Sequence, residues 1–162
     1  MNDLIKKILD ERDITALLVE YCRALDNMDL NAIAELFSED CVVKFGPDDQ
    51  LNSCGPKAVA KSLERMWRWG RTSHHLSNVS IHFNGSYKAS SISYVLAWHE
   101  RPDKKTATIY GQYHDEFRRE NDRWVITKRT MFMNGSDSGF TVNIFPFKRK
   151  TAPKNWISPK ID

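Results

Sequence analysis

Residues 90–101 read SSISYVLAWHER, a run of aliphatic and aromatic residues whose pattern has a period of two. Runs of this kind are typical of β-strands. Similar runs at 74–83, 106–119 and 123–134 predict three further long strands. Short turn signals separate the runs, at Asn84-Gly85, Arg101-Pro102-Asp103 and Glu120-Asn121-Asp122. Because these connections are short, we predict an antiparallel meander.

The chain before residue 70 has a helical period instead. Asp13 is predicted to cap a first helix, whose apolar face would carry Ile14, Leu17, Leu18, Tyr21, Cys22 and Leu25. Asp29 is predicted to cap a short second helix and Gly55-Pro56 to open a third, with a β run at 41–45 between them. This order predicts an α+β fold, in which three N-terminal helices pack on a curved, cone-shaped antiparallel sheet with a mixed edge. The open interior of such a cone is the expected ligand site.

The composition is that of a globular protein with one domain. The chain has 162 residues, of which 41% are hydrophobic and 28% charged, and this balance excludes disordered and collagen-like classes. The longest apolar runs are too short to span a bilayer, and the N-terminus has no apolar signal segment. The three cysteines are odd in number and lack CxxC spacing, which favours a reducing compartment. We therefore expect a cytoplasmic protein without a membrane partner.

Much of the excess positive charge lies near the C-terminus. The net charge of the chain is +3. Five basic residues lie in the last fifteen positions: Lys148, Arg149, Lys150, Lys154 and Lys160. Pro146, Pro153 and Pro159 predict an extended arm over 146–162, after a single domain at 1–145. The arm could meet an anionic partner or be a solvated tail. A nucleic-acid-binding protein more often carries its basic stripe on a folded element, so we expect no nucleic-acid partner.

Four stretches carry a resemblance to a known family. They are YCRALD at 21–26, SHHLSN at 73–78, YVLAWHER at 94–101 and DRWVI at 122–126. In their joint order they resemble the SnoaL-like branch of the nuclear transport factor 2-like superfamily, over roughly residues 8–134. The resemblance implies a cone-shaped α+β barrel with a pocket for a small molecule.

The resemblance also implies catalytic residues. Asp26 and His74 match the aspartate–histidine pair of scytalone dehydratase and hexachlorocyclohexane dehydrochlorinase, two cofactor-independent lyases of the superfamily. A half-buried carboxylate needs a partner, and an imidazole that it orients becomes a directed base. His99 is similar to the second histidine of scytalone dehydratase. If Tyr94 and Trp98 face the cone, His99 faces away, and both orientations stay open.

Further positions are candidates for substrate binding. By resemblance, Arg129 occupies the position at which the dehydrochlorinase has an arginine in its cavity. Tyr21 occupies the position at which that enzyme has a lysine. An ion pair with Asp115, or a place on the outer surface, is the alternative for Arg129. Two tyrosines of scytalone dehydratase are replaced here by Leu25 and Phe45, so the same substrate is not implied. The side chains predicted to line a pocket for a flat, largely apolar molecule are Phe45, Trp67, Tyr94, Trp98, Tyr113, Met131 and Met133.

These residues predict a cofactor-independent lyase of the dehydratase or dehydrohalogenase type. A polyketide cyclase or isomerase stays open, as does a non-catalytic ligand-binding or assembly module. The chain has no HExxH, GxSxG or Gly-rich phosphate motif, so we expect neither a metal nor a cofactor. The relatives imply a homo-oligomer, a trimer before a dimer, and a segment at 145–147 that folds over the pocket mouth.

Overall fold

The computed structural model describes residues 3–141, 143–146 and 154–155. It contains three helices, α1 (Asp3–Asp26), α2 (Leu30–Ala34) and α3 (Pro56–Leu63). The strands are β1 (Phe37–Phe45), β2 (Asn52–Cys54), β3 (Arg71–Asn84), β4 (Lys88–Glu100), β5 (Thr106–Glu120) and β6 (Arg123–Ser138). Short 3-10 segments cover Asp49–Leu51 and Glu64–Arg68. The predicted α+β class is confirmed.

The strands form one curved six-stranded sheet in the order β2-β1-β6-β5-β4-β3. Antiparallel pairing joins β3 to β4, β4 to β5 and β5 to β6, as the short turns predict. At the other edge β1 runs parallel to β6 and pairs antiparallel with β2. The sheet is therefore mixed and stays open, without closing into a full barrel.

The first helix is longer than the apolar pattern predicts. It begins at Asp3 rather than at the predicted cap Asp13, because a polar cluster anchors its early turns. Asp10 in that cluster is buried, forms an ion pair with Arg119, and accepts a 3.3 Å hydrogen bond from Trp124 Nε1. The cap at the second helix is confirmed, since Asp29 accepts a 3.0 Å hydrogen bond from the backbone N–H of Ala32.

The remaining part of the helical layer also follows the sequence signals. Gly55, with φ of 82°, precedes Pro56 at the start of α3, as predicted. The core between helices and sheet contains Ile14, Leu18, Ile33, Val43, Val59, Phe117 and Ile126. In the described ranges no helix has both the length and the apolar character needed to cross a membrane. The predicted arm at 146–162 lies mostly outside the described residues.

Candidate active site

The last residue of α1, Asp26, meets His74 near the start of β3. Asp26 Oδ1 lies 2.6 Å from His74 Nδ1, and Asp26 Oδ2 accepts a 2.9 Å hydrogen bond from the His74 backbone N–H. Thr72 donates its hydroxyl to the same Oδ1 at 2.7 Å. Three donors hold the carboxylate in place, and the carboxylate in turn orients the imidazole.

These contacts decide the charge of Asp26. Burial raises the pKa of the Asp26 carboxyl. Hydrogen bonds from the His74 ring, the His74 backbone and Thr72 together lower the pKa by more than burial raises it, so the net shift is downward. A carboxylate accepts the proton of Nδ1, which leaves His74 Nε2 with its lone pair. Among the described residues Nε2 has no hydrogen-bond partner. An imidazole held in this way is a competent general base.

His74 forms part of the wall of a cavity of about 870 Å³ between the helices and the sheet. This volume lies in the usual range for small-molecule sites, about 300–1,000 Å³. The His74 side chain is only 4% exposed, so it lies in the cavity wall with little access to solvent. Five of the residues predicted to line the pocket do line it: Tyr21, Phe45, Tyr113, Met131 and Met133.

His99 lies on the same wall as His74, so the inward orientation is the one observed. The two imidazole rings meet edge to face, and Trp69 packs against His99 with 4.9 Å between the ring centroids. Burial, followed by the proximity of His74, lowers the pKa of His99 to about 4. His99 is therefore neutral at pH 7, and in the described part of the chain its Nδ1 has no hydrogen-bond partner.

The aromatic residues of β4 lie on the outer face, so the prediction that Tyr94 and Trp98 line the cavity is wrong. Tyr94 and Leu96 are each 41% exposed, and the Arg71 guanidinium covers Trp98, with Cζ 5.6 Å from the ring centroid. The β4 positions on the inner face of the sheet carry mostly small side chains, which leave room for the helical layer and the cavity. Those inner positions hold Ser91, Ser93, Val95, Ala97 and His99.

Trp67 is also outside the cavity, with 64% of the residue exposed. The α-helical spacing that placed it inward ends at Leu63, and the chain continues as the 3-10 segment Glu64–Arg68. A 3-10 segment has about three residues per turn instead of 3.6, which changes the face that each side chain takes. As a result Arg65 and Trp69 line the cavity and Trp67 does not.

Arg129 does not reach the cavity; it lies enclosed beside it. The residue is 0% exposed, and its Nε and Nη2 donate to Asp115 at 2.7 and 2.9 Å. Its Cζ lies 4.0 Å from the ring centroid of Tyr21 and 4.3 Å from that of Tyr113. Of the alternatives predicted for Arg129, the ion pair with Asp115 is the one observed. The pair supports two aromatic residues of the cavity wall from behind.

The segment at 145–147 is predicted to fold over the mouth of the cavity, but residues that come earlier after β6 line the cavity instead. Phe145 exchanges two backbone hydrogen bonds with Met133, and its ring stacks on Phe132 at 5.2 Å. Phe145 is therefore held against the sheet and does not cover the mouth, and Phe147 lies outside the described residues. The described residues after β6 that line the cavity are Phe140, Thr141 and Asn143.

Sequence reasoning missed Thr72, Arg65 and Trp69. Thr72 had a usable signal, because residues two apart on a strand share a face and Thr72 is two before His74. Arg65 and Trp69 had none, since the change to 3-10 geometry is not visible in the pattern. In the described ranges, no group of three or more His, Cys, Asp or Glu side chains could hold a metal ion.

Comparisons with known proteins agree with the fold. A family model described as the SnoaL-like domain matches residues 6–130. No curated protein sequence matches the chain. A proposed scytalone dehydratase from Novosphingobium aromaticivorans DSM 12444 is 28% identical, with a TM-score of 0.84, and the match covers 93% of this chain and 100% of that one.

Two further solved structures share the fold at lower identity. The hexachlorocyclohexane dehydrochlorinase LinA-type3 from Novosphingobium barchaimii LL02 is 18% identical with a TM-score of 0.75, and 88% of this chain and 98% of that one are covered. A proposed aromatic ring hydroxylase from Novosphingobium aromaticivorans is 24% identical with a TM-score of 0.74, and 81% and 94% are covered. The fold therefore occurs in enzymes that act on small molecules. Because the family model spans most of the sequence, the chain belongs to the SnoaL-like domain family.

Proposed function

We propose that the chain is a cofactor-independent lyase, of the dehydratase or dehydrohalogenase type, that acts on a small and largely apolar ring compound. The observation that carries the proposal is the hydrogen bond between Asp26 and His74 at the wall of the cavity. A carboxylate that orients a buried imidazole toward a ligand-sized space is what a general base requires. Likeness to a proposed scytalone dehydratase and to a dehydrochlorinase supports the same reaction class.

In the proposed reaction, His74 Nε2 takes a proton from a ring carbon beside a carbonyl or a halogen-bearing carbon. The electrons of the broken C–H bond form a C=C bond, and the leaving group departs with its bonding pair. A departing hydroxyl receives the proton back from the imidazolium and leaves as water. When halide leaves, the imidazolium returns its proton to solvent. Asp26 stabilises the imidazolium throughout, and general-base catalysis of this kind contributes about 10²–10⁴-fold.

Tyr21 lines the cavity and is the proposed neutral hydrogen-bond donor to a substrate carbonyl oxygen. Burial raises the pKa of Tyr21 to about 12, so its hydroxyl keeps its proton at pH 7. Among the described residues the Tyr21 hydroxyl is buried and has no hydrogen-bond partner. A ring in the cavity would otherwise meet the apolar surfaces of Phe45, Trp69 and Met131.

The proposed proton abstraction can be tested without knowing the leaving group. The purified protein is incubated in D2O with cyclic ketones such as 2-tetralone, and deuterium incorporation is followed by mass spectrometry. Asp26→Asn presents the wrong tautomer of His74 and should lower the exchange rate by about 10³–10⁴-fold. His74→Gln should remove catalysis, whereas Asp13→Asn, on the exposed face of the same helix, should not change it.

Elimination is then distinguished from isomerisation or cyclisation by the product. Release of halide or water from chlorinated or β-hydroxylated ring substrates supports the lyase. A product that keeps all its atoms identifies an isomerase or cyclase that uses the same base. An exchange rate for Asp26→Asn within tenfold of the wild-type rate contradicts the role of the pair. Exchange no faster than in buffer across the panel favours a non-catalytic binding module.

Self-association is proposed on separate grounds. The outer face of the sheet exposes Ile92, Leu96 and Tyr110, each at least 39% exposed. Apolar residues grouped in this way often mark contact surfaces. A second copy of the chain is the proposed occupant, in a trimer before a dimer. Sedimentation equilibrium measures the state directly, and Leu96→Lys should shift it toward monomer.

A further inference from the structure

Arg65 is a half-buried cation that the proposed chemistry does not use. It lies in the 3-10 segment Glu64–Arg68 and lines the cavity, with its Cζ 5.0 Å from the ring centroid of Phe45. In the described part of the chain no carboxylate lies within ion-pair distance of it. Burial lowers the pKa of Arg65, yet a guanidinium keeps its charge at neutral pH. A half-buried charge without a counter-charge is unfavourable, so we expect an anion from outside the chain to pair with it.

The guanidinium is held with one edge free. Its Nη1 donates to the backbone carbonyl of Ser62 and, at 2.5 Å, to the Ser62 hydroxyl. These bonds hold Nη1, and Nε and Nη2 have no hydrogen-bond partner in the described ranges. Nε and Nη2 together form the side-on edge that binds both oxygens of a carboxylate.

The same edge binds carboxylates elsewhere in this protein. Arg129 uses Nε and Nη2 on Asp115 at 2.7 and 2.9 Å. Arg71 uses the same two atoms on Glu100 at 3.0 and 2.7 Å. Arg65 presents this edge with no acidic residue to receive it, which makes a carboxylate the matching ligand.

The other charges around the cavity do not neutralise Arg65. Of the two acidic residues in the lining, Asp48 caps a 3-10 segment by accepting the Gln50 N–H at 2.9 Å. Asp103 lies 3.6 Å from Arg101. Arg68 adds a second positive charge at the lining and repels Arg65. The net effect favours an anion at Arg65.

We propose that Arg65 binds a carboxylate group of the substrate, so that the ligand is a ring carboxylic acid rather than a neutral ring compound. The ring would lie against the apolar wall while the carboxylate sits on Nε and Nη2 of Arg65. The proposal rests on the proposed function only in calling this acid a substrate. Binding of the acid stands on the geometry of Arg65 alone.

The test compares two probes of equal size, benzoate and benzamide, for binding to the purified full-length protein at pH 7. Dissociation constants come from NMR titration, with the Trp69 indole and His74 ring signals as reporters of cavity binding. The wild type should bind benzoate about 10- to 100-fold more tightly, the range for a hydrogen-bonded charge. Arg65→Gln should abolish the preference for benzoate. Arg65→Lys keeps the positive charge but loses the paired donors Nε and Nη2, so it should keep only part of the preference.

Two controls locate the effect. Lys57→Gln removes one positive charge from the exposed surface of α3 and should leave the preference unchanged. His74→Gln should also keep the preference, which separates this proposal from the proposed base. If Asp26→Asn retains full proton exchange while Arg65→Gln loses the benzoate preference, the lyase fails and the carboxylate site stands. Equal affinity of the wild type for both probes overturns the site, as does a preference that survives in Arg65→Gln or disappears in His74→Gln.

Discussion

The imidazole rings of His74 and His99 meet edge to face, with 5.2 Å between their centroids and 89° between their planes. His74 contacts the Asp26 carboxylate through Nδ1, whereas His99 is buried against Trp69. The pKa of His99 is lowered to about 4, first by burial and then by His74. The two neighbouring imidazoles therefore have different surroundings: His74 is paired with a carboxylate, and His99 stays neutral beside it.

Stability should depend on pH through His99. An unfolded histidine titrates near pH 6.5 and His99 in the fold near 4, so the unfolded chain binds the extra proton between these values. The contribution of His99 is complete above pH 6.5 and is lost as the pH falls toward 4, about 3 kcal/mol in total. His99→Gln should remove this part of the slope in urea unfolding measured between pH 7 and pH 4. The matched change at exposed His82 should leave the slope as it is, and an unchanged slope in His99→Gln contradicts the prediction.

Thr72 should act as a positioning residue for Asp26. Its hydroxyl helps to lower the pKa of Asp26, so Thr72→Val should raise that pKa and move the acid limb of the pH–rate profile to higher pH. Thr72→Val removes one of the three hydrogen bonds that position the carboxylate, and we expect a rate loss of about tenfold, equivalent to about 1.4 kcal/mol of activation free energy. Thr108→Val, on β5 outside the cavity lining, is the control. A lower rate without a shift of the acid limb would indicate a merely structural effect.

The ion pair behind the cavity wall should be essential for stability. Asp115→Asn leaves the fully enclosed Arg129 without its counter-charge, and such a change costs about 3–5 kcal/mol. The adjacent pair Glu116 and Lys128 joins the same two strands in solvent, with side chains 58% and 52% exposed. Glu116→Gln should therefore change the free energy of unfolding by about 1 kcal/mol or less. Similar losses in the two variants, measured by urea unfolding, would count against the prediction.

Gly111 should not tolerate a side chain. A Cβ at this position would overlap the backbone carbonyl oxygen of Phe132 beside a bulge between β5 and β6. Since a backbone atom cannot move aside easily, Gly111→Ala should destabilise the fold by about 1–3 kcal/mol. A Cβ at Gly139 would meet nothing within 4 Å, so Gly139→Ala should be close to neutral. Thermal unfolding of the two variants measures the difference.

The sequence predicts those features that depend on local period and turn chemistry. The alternation after Gly70 and the Asn84-Gly85 turn predict β3 and β4 to within a few residues, and the Asp29 cap is found as predicted. The contact of Asp26 with His74 joins two positions that only a family resemblance could connect. Their catalytic role stays a prediction.

The sequence does not predict which face a residue takes after an irregularity. The shift of register between Ser77 and Ser80, with φ of 49° at Asn78, interrupts the simple alternation in β3. In β4 the large aromatic residues suggested an inward face, yet the helical layer leaves room only for small ones. The 3-10 turn after α3 likewise exchanges Trp67 for Arg65 at the cavity. These outcomes depend on packing between elements, which no single segment encodes.

Asp26 ends one helix, and its imidazole partner lies 48 positions further along the chain. Neither segment alone brings a carboxylate to a ring nitrogen, so a partly folded chain with α1 already formed would have no base. Under the proposed function, proton exchange begins only when the helix docks on the completed sheet. The onset of proton exchange during refolding would therefore report when this last step of folding is complete.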